Sequence, residues 1–425
     1  MGLVTTARPV NTITNSVLNK AFYAAYFEKT AAVKDLGDVF RQTKNKSLSG
    51  VANRNFSLLG DPSMRFDSPK EDIVVTSITT ADGSPVLKAL SKVTITGEVK
   101  RDNVISTTFD GTVELEVFDR RSELTTLGDE NSPFAYKQWD HSLFRGKAKV
   151  VDGEFALEFI LPEGVSDQVQ KGKVMLYAYT SDKSRDAQGA LQNLQIGGVD
   201  PNPGSDNSGP SIELFMGDTT FVNGGYANSD SRLIGKLYDK SGMNISGYGD
   251  GAMVATLDND KTFIVNDYFT ADEDDFTTGW FSFPINDLTE GQHTISFKAT
   301  DTYGNPGTAS VTFIVGADGA LIVEELYAYP NPFSESSPAT IEFKHNRAGE
   351  DLEVQVAIYD GLGQLADKRD FVVYSSTYKV ALFSWDGFGT RGIKMGNGIY
   401  LVKLVIRSVS DGAKNDKIAR LILTN

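Results

Sequence analysis

From Tyr329 to Asn425 the chain repeatedly alternates apolar and polar residues with a period of two, between turns built on Gly, Asp and Asn. Val354, Val356 and Ile358 interleave with Glu353, Gln355 and Ala357, and Tyr400, Val402, Leu404 and Ile406 repeat the pattern. A helix cannot present such a pattern to one core, whereas a half-buried strand requires it. Pro330 and Pro332 fix their own φ and push Tyr329 and Asn331 toward extended geometry, so the entry to this stretch is not helical. The turns Asp360-Gly361-Leu362-Gly363, Trp385-Asp386-Gly387 and Gly396-Asn397-Gly398 separate the runs. Together they predict a β-sandwich of roughly 95 residues.

The same grammar recurs upstream. Val93, Ile95 and Val99, then Val113, Leu115 and Val117, then Phe155, Leu157 and Phe159, then Val174, Leu176 and Ala178, all lie at alternating spacing. Asp110-Gly111 and Asp152-Gly153 punctuate these runs and favour antiparallel hairpins over a parallel sheet. Ile212, Leu214 and Met216, Leu233 to Leu237, Val254 to Leu257 and Thr294 to Ala299 outline another sandwich. Between these two, residues 197–210 are Gly, Pro, Ser, Asn and Asp with almost nothing to bury, which reads as a linker.

Residues 17–44 carry the one helical pattern: Val17, Leu18, Ala21, Phe22, Ala25 and Tyr26, then Val33, Leu36, Val39 and Phe40, with Asn15 and Ser16 as caps for the first helix. Two short helices bury little by themselves, so this region reads as the tail of a larger α/β domain. The expected architecture is mainly β: an α-helical tail at 1–68, then tandem Ig-like antiparallel β-sandwiches at 69–199, 200–318 and 319–425.

The length of 425 residues easily accommodates several buried cores. A formal net charge of −15 opposes general affinity for nucleic acid or anionic lipid. Cysteine is absent, which removes disulfides, thiolate metal sites and any thiol nucleophile from this chain. No apolar run approaches the length of a membrane helix, and the first residues lack a signal peptide's basic and apolar regions. An export signal, if the protein has one, is expected elsewhere.

Few residues present themselves as chemical sites. Trp139-Asp140-His141-Ser142 contains the residue types of a nucleophilic triad, but neighbours on a strand point to opposite faces and no G-x-S-x-G turn is present. It reads as a surface or half-buried loop. No phosphate-binding loop occurs. The run Asp272-Glu273-Asp274-Asp275 reads as a solvated loop, because Ca²⁺ takes oxygens arriving from several directions. Asp200, Asp206 and Asn207 in the linker are better placed: a cation there could draw in oxygens from both flanking sandwiches. No other cofactor is expected.

Two ordered sets of motifs carry a resemblance. Leu58-Leu59-Gly60-Asp61-Pro62 closing residues 1–66 resembles the end of a gingipain-type cysteine peptidase domain leading into Ig-like modules. Asn331-Pro332-Phe333, Asp360 to Gly363, Trp385-Asp386-Gly387 and Gly398 to Val402 resemble the C-terminal sorting domain of type IX secretion cargo. With Leu87 to Val99 and Gly209 to Phe215 between them, the order resembles the gingipain-like cysteine peptidase sortases of type IX secretion. One departure is Gly247-Tyr248-Gly249-Asp250-Gly251, where family members often carry His.

The resemblance implies a protein at the cell surface of a Gram-negative bacterium, attached to the outer membrane through a β-barrel of the PorV type within a surface complex. It implies a peptidase that removes cargo C-terminal signal domains and joins cargo to lipopolysaccharide, with its catalytic His and Cys upstream of these residues. This chain is then the non-catalytic part, inactive alone, a series of Ig-like modules that positions the peptidase. Asn331, Pro332, Phe333, Trp385, Asp386, Gly387 and Tyr400 are the expected docking residues. The alternatives are a cell-surface adhesin or carbohydrate-binding array, and an independent hydrolase, for which no convergent motif is present.

Overall fold

The computed structural model describes residues 3–6, 9–28, 35–47, 49–65, 69–129, 132–316, 320–374, 376–390 and 392–424. They form two compact units, residues 1–70 and 71–425. Among the described residues no helix is long and apolar enough to cross a membrane.

In the first unit, strand Leu3–Thr6 pairs antiparallel with Phe56–Leu59, and helices Thr12–Tyr26, Leu36–Ser47 and Gly50–Arg54 lie between them in sequence. Leu18, Ala25, Leu36, Val39 and Phe56 are its buried apolar residues. The first helix begins before Asn15 and Ser16: its cap is Asn11, whose side chain accepts from the Thr14 NH at 2.8 Å. A free NH in the first turn needs an oxygen three residues back, and Asn11 supplies it. Val33, part of the expected second helical group, lies outside the described residues.

The second unit holds three β-modules, and the chain is mainly β as expected. In the first module, strands Ser142–Val150, Gly111–Phe118, Gln170–Thr180, Asp186–Val199, Glu71–Thr80, Lys92–Arg101 and Glu154–Ile160 are hydrogen-bonded in that order. The sheet curls until its ends face each other, and Phe144 stacks on Phe159 at 4.4 Å. Gly146 permits this, since a Cβ there would come within 2.5 Å of the Phe144 ring. Pairing is not wholly antiparallel. Strand Asp186–Val199 runs parallel to both Glu71–Thr80 and Val86–Ala89, bridging the two halves of the sheet.

The second module is a sandwich of Ser211–Met216, Ser231–Tyr238, Asp275–Ile285 and Phe269–Asp272 against Tyr226–Ala227, Pro306–Val315, Gly291–Thr300, Val254–Leu257 and Lys261–Ile264. Phe281 and Phe297 stack between its sheets at 4.8 Å. The third packs Val323–Tyr329, Ala339–His345 and Lys379–Trp385 on Leu365–Val373, Leu352–Tyr359, Gly398–Ser408 and Lys414–Leu423.

The joints depart most from expectation. Residues 197–210 are not a loose linker: Asp200, Asp206 and Pro210 are buried, and the Asp200 NH donates to the Ala89 carbonyl at 3.0 Å. The first two modules share one continuous hydrophobic core, in which Phe144 and Phe159 meet Met243, Ile245, Phe269 and Ala271. Asp272–Asp275 keeps Glu273 and Asp274 exposed, as a solvated loop does, but its tip also bonds to the first module. Glu273 accepts from the Thr112 hydroxyl at 2.7 Å, and Asp274 accepts the Lys149 NH at 2.9 Å while its own NH donates to the Lys147 carbonyl. This hairpin tip satisfies polar groups along the edge strand of the first module, which would otherwise be left unpaired there. Arg145 continues the joint, donating to the carbonyls of Asp267 and Phe269 and pairing with Glu116.

Candidate metal centre and the terminal motif cluster

Three strand ends and turns of the second module converge at the end that meets the first. Asp239 follows strand Ser231–Tyr238, Asp301 follows Gly291–Thr300, and Asp206 lies in the connecting segment. One carboxylate oxygen from each falls within 4.8 Å of the others, and the three residues are only 7%, 4% and 0% exposed in the order Asp206, Asp239, Asp301. The turn carrying Asp301 touches the first module, where the Glu163 NH donates to the Thr302 carbonyl at 2.8 Å.

Each carboxylate is partly spent on its own turn. Asp239 Oδ1 accepts from the Ser241 NH and hydroxyl, both at 2.8 Å. Asp301 accepts from the Tyr303 and Asn305 NH groups and from Asn305 Nδ2. Asp206 Oδ1 accepts from the Ser208 NH and hydroxyl and pairs with Lys240 Nζ at 3.2 Å, but its buried Oδ2 has no hydrogen-bond partner. Burial, with Asp301 and Asp206 close by, raises the Asp239 carboxyl above its usual range. Burial and then the charge of Asp206 do the same to Asp301, against the hydrogen bonds from Asn305. At Asp206 burial acts in the same upward sense, but the Ser208 hydrogen bonds and Lys240 outweigh it and its carboxyl is lowered. Chemically the cluster is an oxygen-only set of hard donors arriving from three segments, the pattern that Ca²⁺ uses.

Of the residues expected to bind a cation, Asp206 belongs to the cluster. Asp200 is buried nearby, its Oδ1 accepting the Asn202 NH, and Asn207 is exposed outside the cluster. Asp239 and Asp301 were missed by sequence reasoning. Their signal is an Asp directly after a strand: Thr300-Asp301 closes the strand that begins at Gly291-Gln292-His293.

The docking residues expected in the third module divide sharply. Phe333, Trp385 and Tyr400 are buried core: the Phe333 ring lies 5.4 Å from Trp385, and Tyr400 meets Trp385 edge-on at 5.2 Å. Trp385 Nε1 donates to the Phe388 carbonyl at 2.7 Å and the Tyr400 hydroxyl to that of Gly396 at 2.5 Å, so the polar ends of both rings are satisfied. Gly387, also buried, has φ of +89°, and Leu423 packs 3.1 Å from where its Cβ would be. The recurring residue types therefore pack the interior. Asn331, Pro332 and Asp386 are exposed, and Asn331 clamps the last strand through the Arg420 carbonyl and the Ile422 NH. Around them Ser334, Glu335, Lys394, Asn397 and Thr424 line a shallow groove, which a Lys394–Glu335 pair spans.

The three histidines occupy separate modules. His141, in the Trp139-Asp140-His141-Ser142 segment, stacks on Tyr248 at 4.4 Å and bonds the Ser246 carbonyl, while the Tyr248 hydroxyl donates to Asp119 at 2.6 Å. That segment and the Gly247 to Gly251 turn thus help to close the joint between the first two modules. His293 pairs with Asp258 at 2.7 Å, and His345 bonds the Thr377 carbonyl at 2.8 Å.

Comparison with known proteins follows the division into units. Residues 1–67 match the model of Peptidase family C25. No curated protein sequence matches the chain. Among solved structures, dimeric latent PorU from Porphyromonas gingivalis is 29% identical, covering 94% of this chain and 39% of that one, with a TM-score of 0.39. The tetra-tandem repeat in the extending region of a large adhesion protein is 13% identical, covering 83% of this chain and 74% of that one, with a TM-score of 0.21. The chain thus spans well under half of the PorU chain it matches. Residues 1–67 carry the Peptidase family C25 signature, and the chain as a whole is similar to PorU.

Proposed function

We propose that this chain is the non-catalytic body of a gingipain-like surface sortase of the type IX secretion system. On this reading the peptidase whose family signature lies at residues 1–67 removes cargo C-terminal signals and passes cargo to lipopolysaccharide, while the β-modules hold it at the outer membrane. The observation that carries the reading is the Peptidase family C25 match ahead of three β-modules. The chain has no Cys, so it supplies no thiol nucleophile to that peptidase.

The third module is the docking element in this reading, and the exposed groove edged by Glu335, Asp386 and Lys394 is the surface it offers. Loops gathered at one end of a sandwich carry recognition more readily than its strands do. The partner is an outer-membrane β-barrel of the PorV type. The test immobilises the full chain and measures capture of such a barrel in detergent, with Asp386→Arg and Lys394→Glu as surface variants. Saturable capture that the paired charge reversals weaken at least tenfold supports the reading. Absence of capture, with retention of the chain on a glycan array, supports an adhesin or carbohydrate-binding array instead. Either way the isolated chain is expected to leave a sorting-signal peptide uncut.

A further inference from the structure

The convergence of Asp206, Asp239 and Asp301 serves a purpose that turn formation alone does not explain. All three carboxylates already accept hydrogen bonds within their own turns, which would work equally well apart. Bringing three buried carboxylates within 4.8 Å costs free energy through repulsion and lost hydration unless a positive charge joins them. Lys240 is the one cation paired with the cluster among the described ion pairs, and it touches only Asp206 from a side chain that is 61% exposed. Asp239 and Asp301 have no cation partner among the described ion pairs, and Asp206 Oδ2, on a side chain 1% exposed, faces no donor.

We infer that Asp206, Asp239 and Asp301 bind a divalent cation of the calcium class that locks the connecting segment onto the second module at its joint with the first. The donors are hard oxygens from three separate segments, which suits an ion that takes six to eight oxygens. Carbonyls and water complete the shell. The ion ties Asp206 to the two turns, and those turns meet the first module through Thr302 and Glu163, so occupancy stiffens the joint. Tyr303 lies beside the site: its hydroxyl would stand 2.8 Å from a Cβ on Gly204, and the charges of Asp206 and Asp200 act on it.

The test uses the full chain after chelator treatment, with terbium as a luminescent calcium analogue and with calcium and magnesium by calorimetry. Tyrosine-excited terbium emission should saturate near one ion per chain, fall on addition of calcium, and weaken in Tyr303→Phe. Asp206→Asn keeps an oxygen for the Ser208 turn but removes the charge, so it should fold normally and bind calcium at least tenfold more weakly. Lys240→Gln removes the competing ammonium and should bind more tightly, whereas a purely structural Lys240–Asp206 pair would leave only lower stability. Absence of saturable binding by the unmutated chain, unchanged binding in Asp206→Asn, or preference for magnesium over calcium would overturn the assignment.

Discussion

The two joints of the second unit are built from different materials. Between the first and second modules the cores run together through Phe144, Phe159, Phe269 and Ala271, and polar groups at the edge are taken up by Glu273, Asp274 and Arg145. Between the second and third, the third module adds to that shared core only the buried Tyr378 and the half-buried Ala348 among the described residues, and it keeps a separate core of its own. What remains there is mostly polar: Asp218 accepts the Tyr378 NH at 2.9 Å, Glu324 accepts the Tyr226 NH and Asn228 donates to the Ala348 carbonyl. An apolar joint couples the folding of its two sides. A polar one fixes orientation while leaving each side its own stability.

Large core truncations break the comparison most directly. Phe144→Ala should cost about 3–5 kcal/mol and lower the denaturation midpoint of the first and second modules together. Trp385→Ala should cost a similar amount in the third module and leave the shared transition in place. Urea titration followed by peptide-resolved hydrogen exchange distinguishes them. If Phe144→Ala weakened the first module alone, the joint would be a mere contact.

Acid probes the third module. Burial, above all, lowers His345 to about 4, although the Thr377 carbonyl partly opposes this. A His whose folded value is depressed gives stability that is present above its unfolded value, near 6.5, and is lost as pH falls toward 4. The full effect is roughly 3 kcal/mol. The third module should therefore weaken between pH 6.5 and pH 4, and His345→Gln, which does not titrate there, should flatten its denaturation midpoint across that window.

The cation site gives the opposite slope at the other joint. Asp239 and Asp301 have raised folded values, so in the metal-free chain their contribution is complete below the ordinary carboxylate range and is lost as pH rises through those values. Calcium replaces the proton. At one hundred times its dissociation constant it adds about 2.7 kcal/mol. The calcium-dependent rise in melting temperature should be largest near neutral pH and vanish in acid, where protons occupy the same oxygens. A rise independent of pH would mean that the ion binds elsewhere.

The smallest effect is expected at the polar joint. Asp218→Asn retains an oxygen for the Thr220 turn but loses the acceptor for the Tyr378 NH, at a cost of about 1 kcal/mol. Both module transitions should stay nearly in place, while protection of the Tyr378 amide falls. A loss of several kcal/mol would show that this joint is as strongly coupled as the other.

Strands were legible in the sequence because alternation is a local property: Val354, Val356 and Ile358 sit in strand Leu352–Tyr359 with their side chains buried. The joints were not, because an edge contact leaves no period. Asp272–Asp275 has the composition of a solvated turn, and only a neighbouring strand edge makes it a joint. The cation cluster was half legible. Asp206 stands out in a Pro- and Gly-rich segment, but Asp239 and Asp301 are brought beside it by strand register, which no local reading contains. Phe333, Trp385 and Tyr400 show a related limit: the residue types are legible in the sequence, but whether they face a partner or the interior is decided by packing, and here they pack one interior.

Native-state hydrogen exchange on the full chain with calcium present tests the central claim that the first two modules are one body and the third is another. Amides of Gly111–Phe118 in the first module and Gly291–Thr300 in the second should open with the same free energy and respond equally to denaturant, and those of Gly398–Ser408 should open separately. Independent opening of the first two, or a single opening shared by all three, would contradict the account.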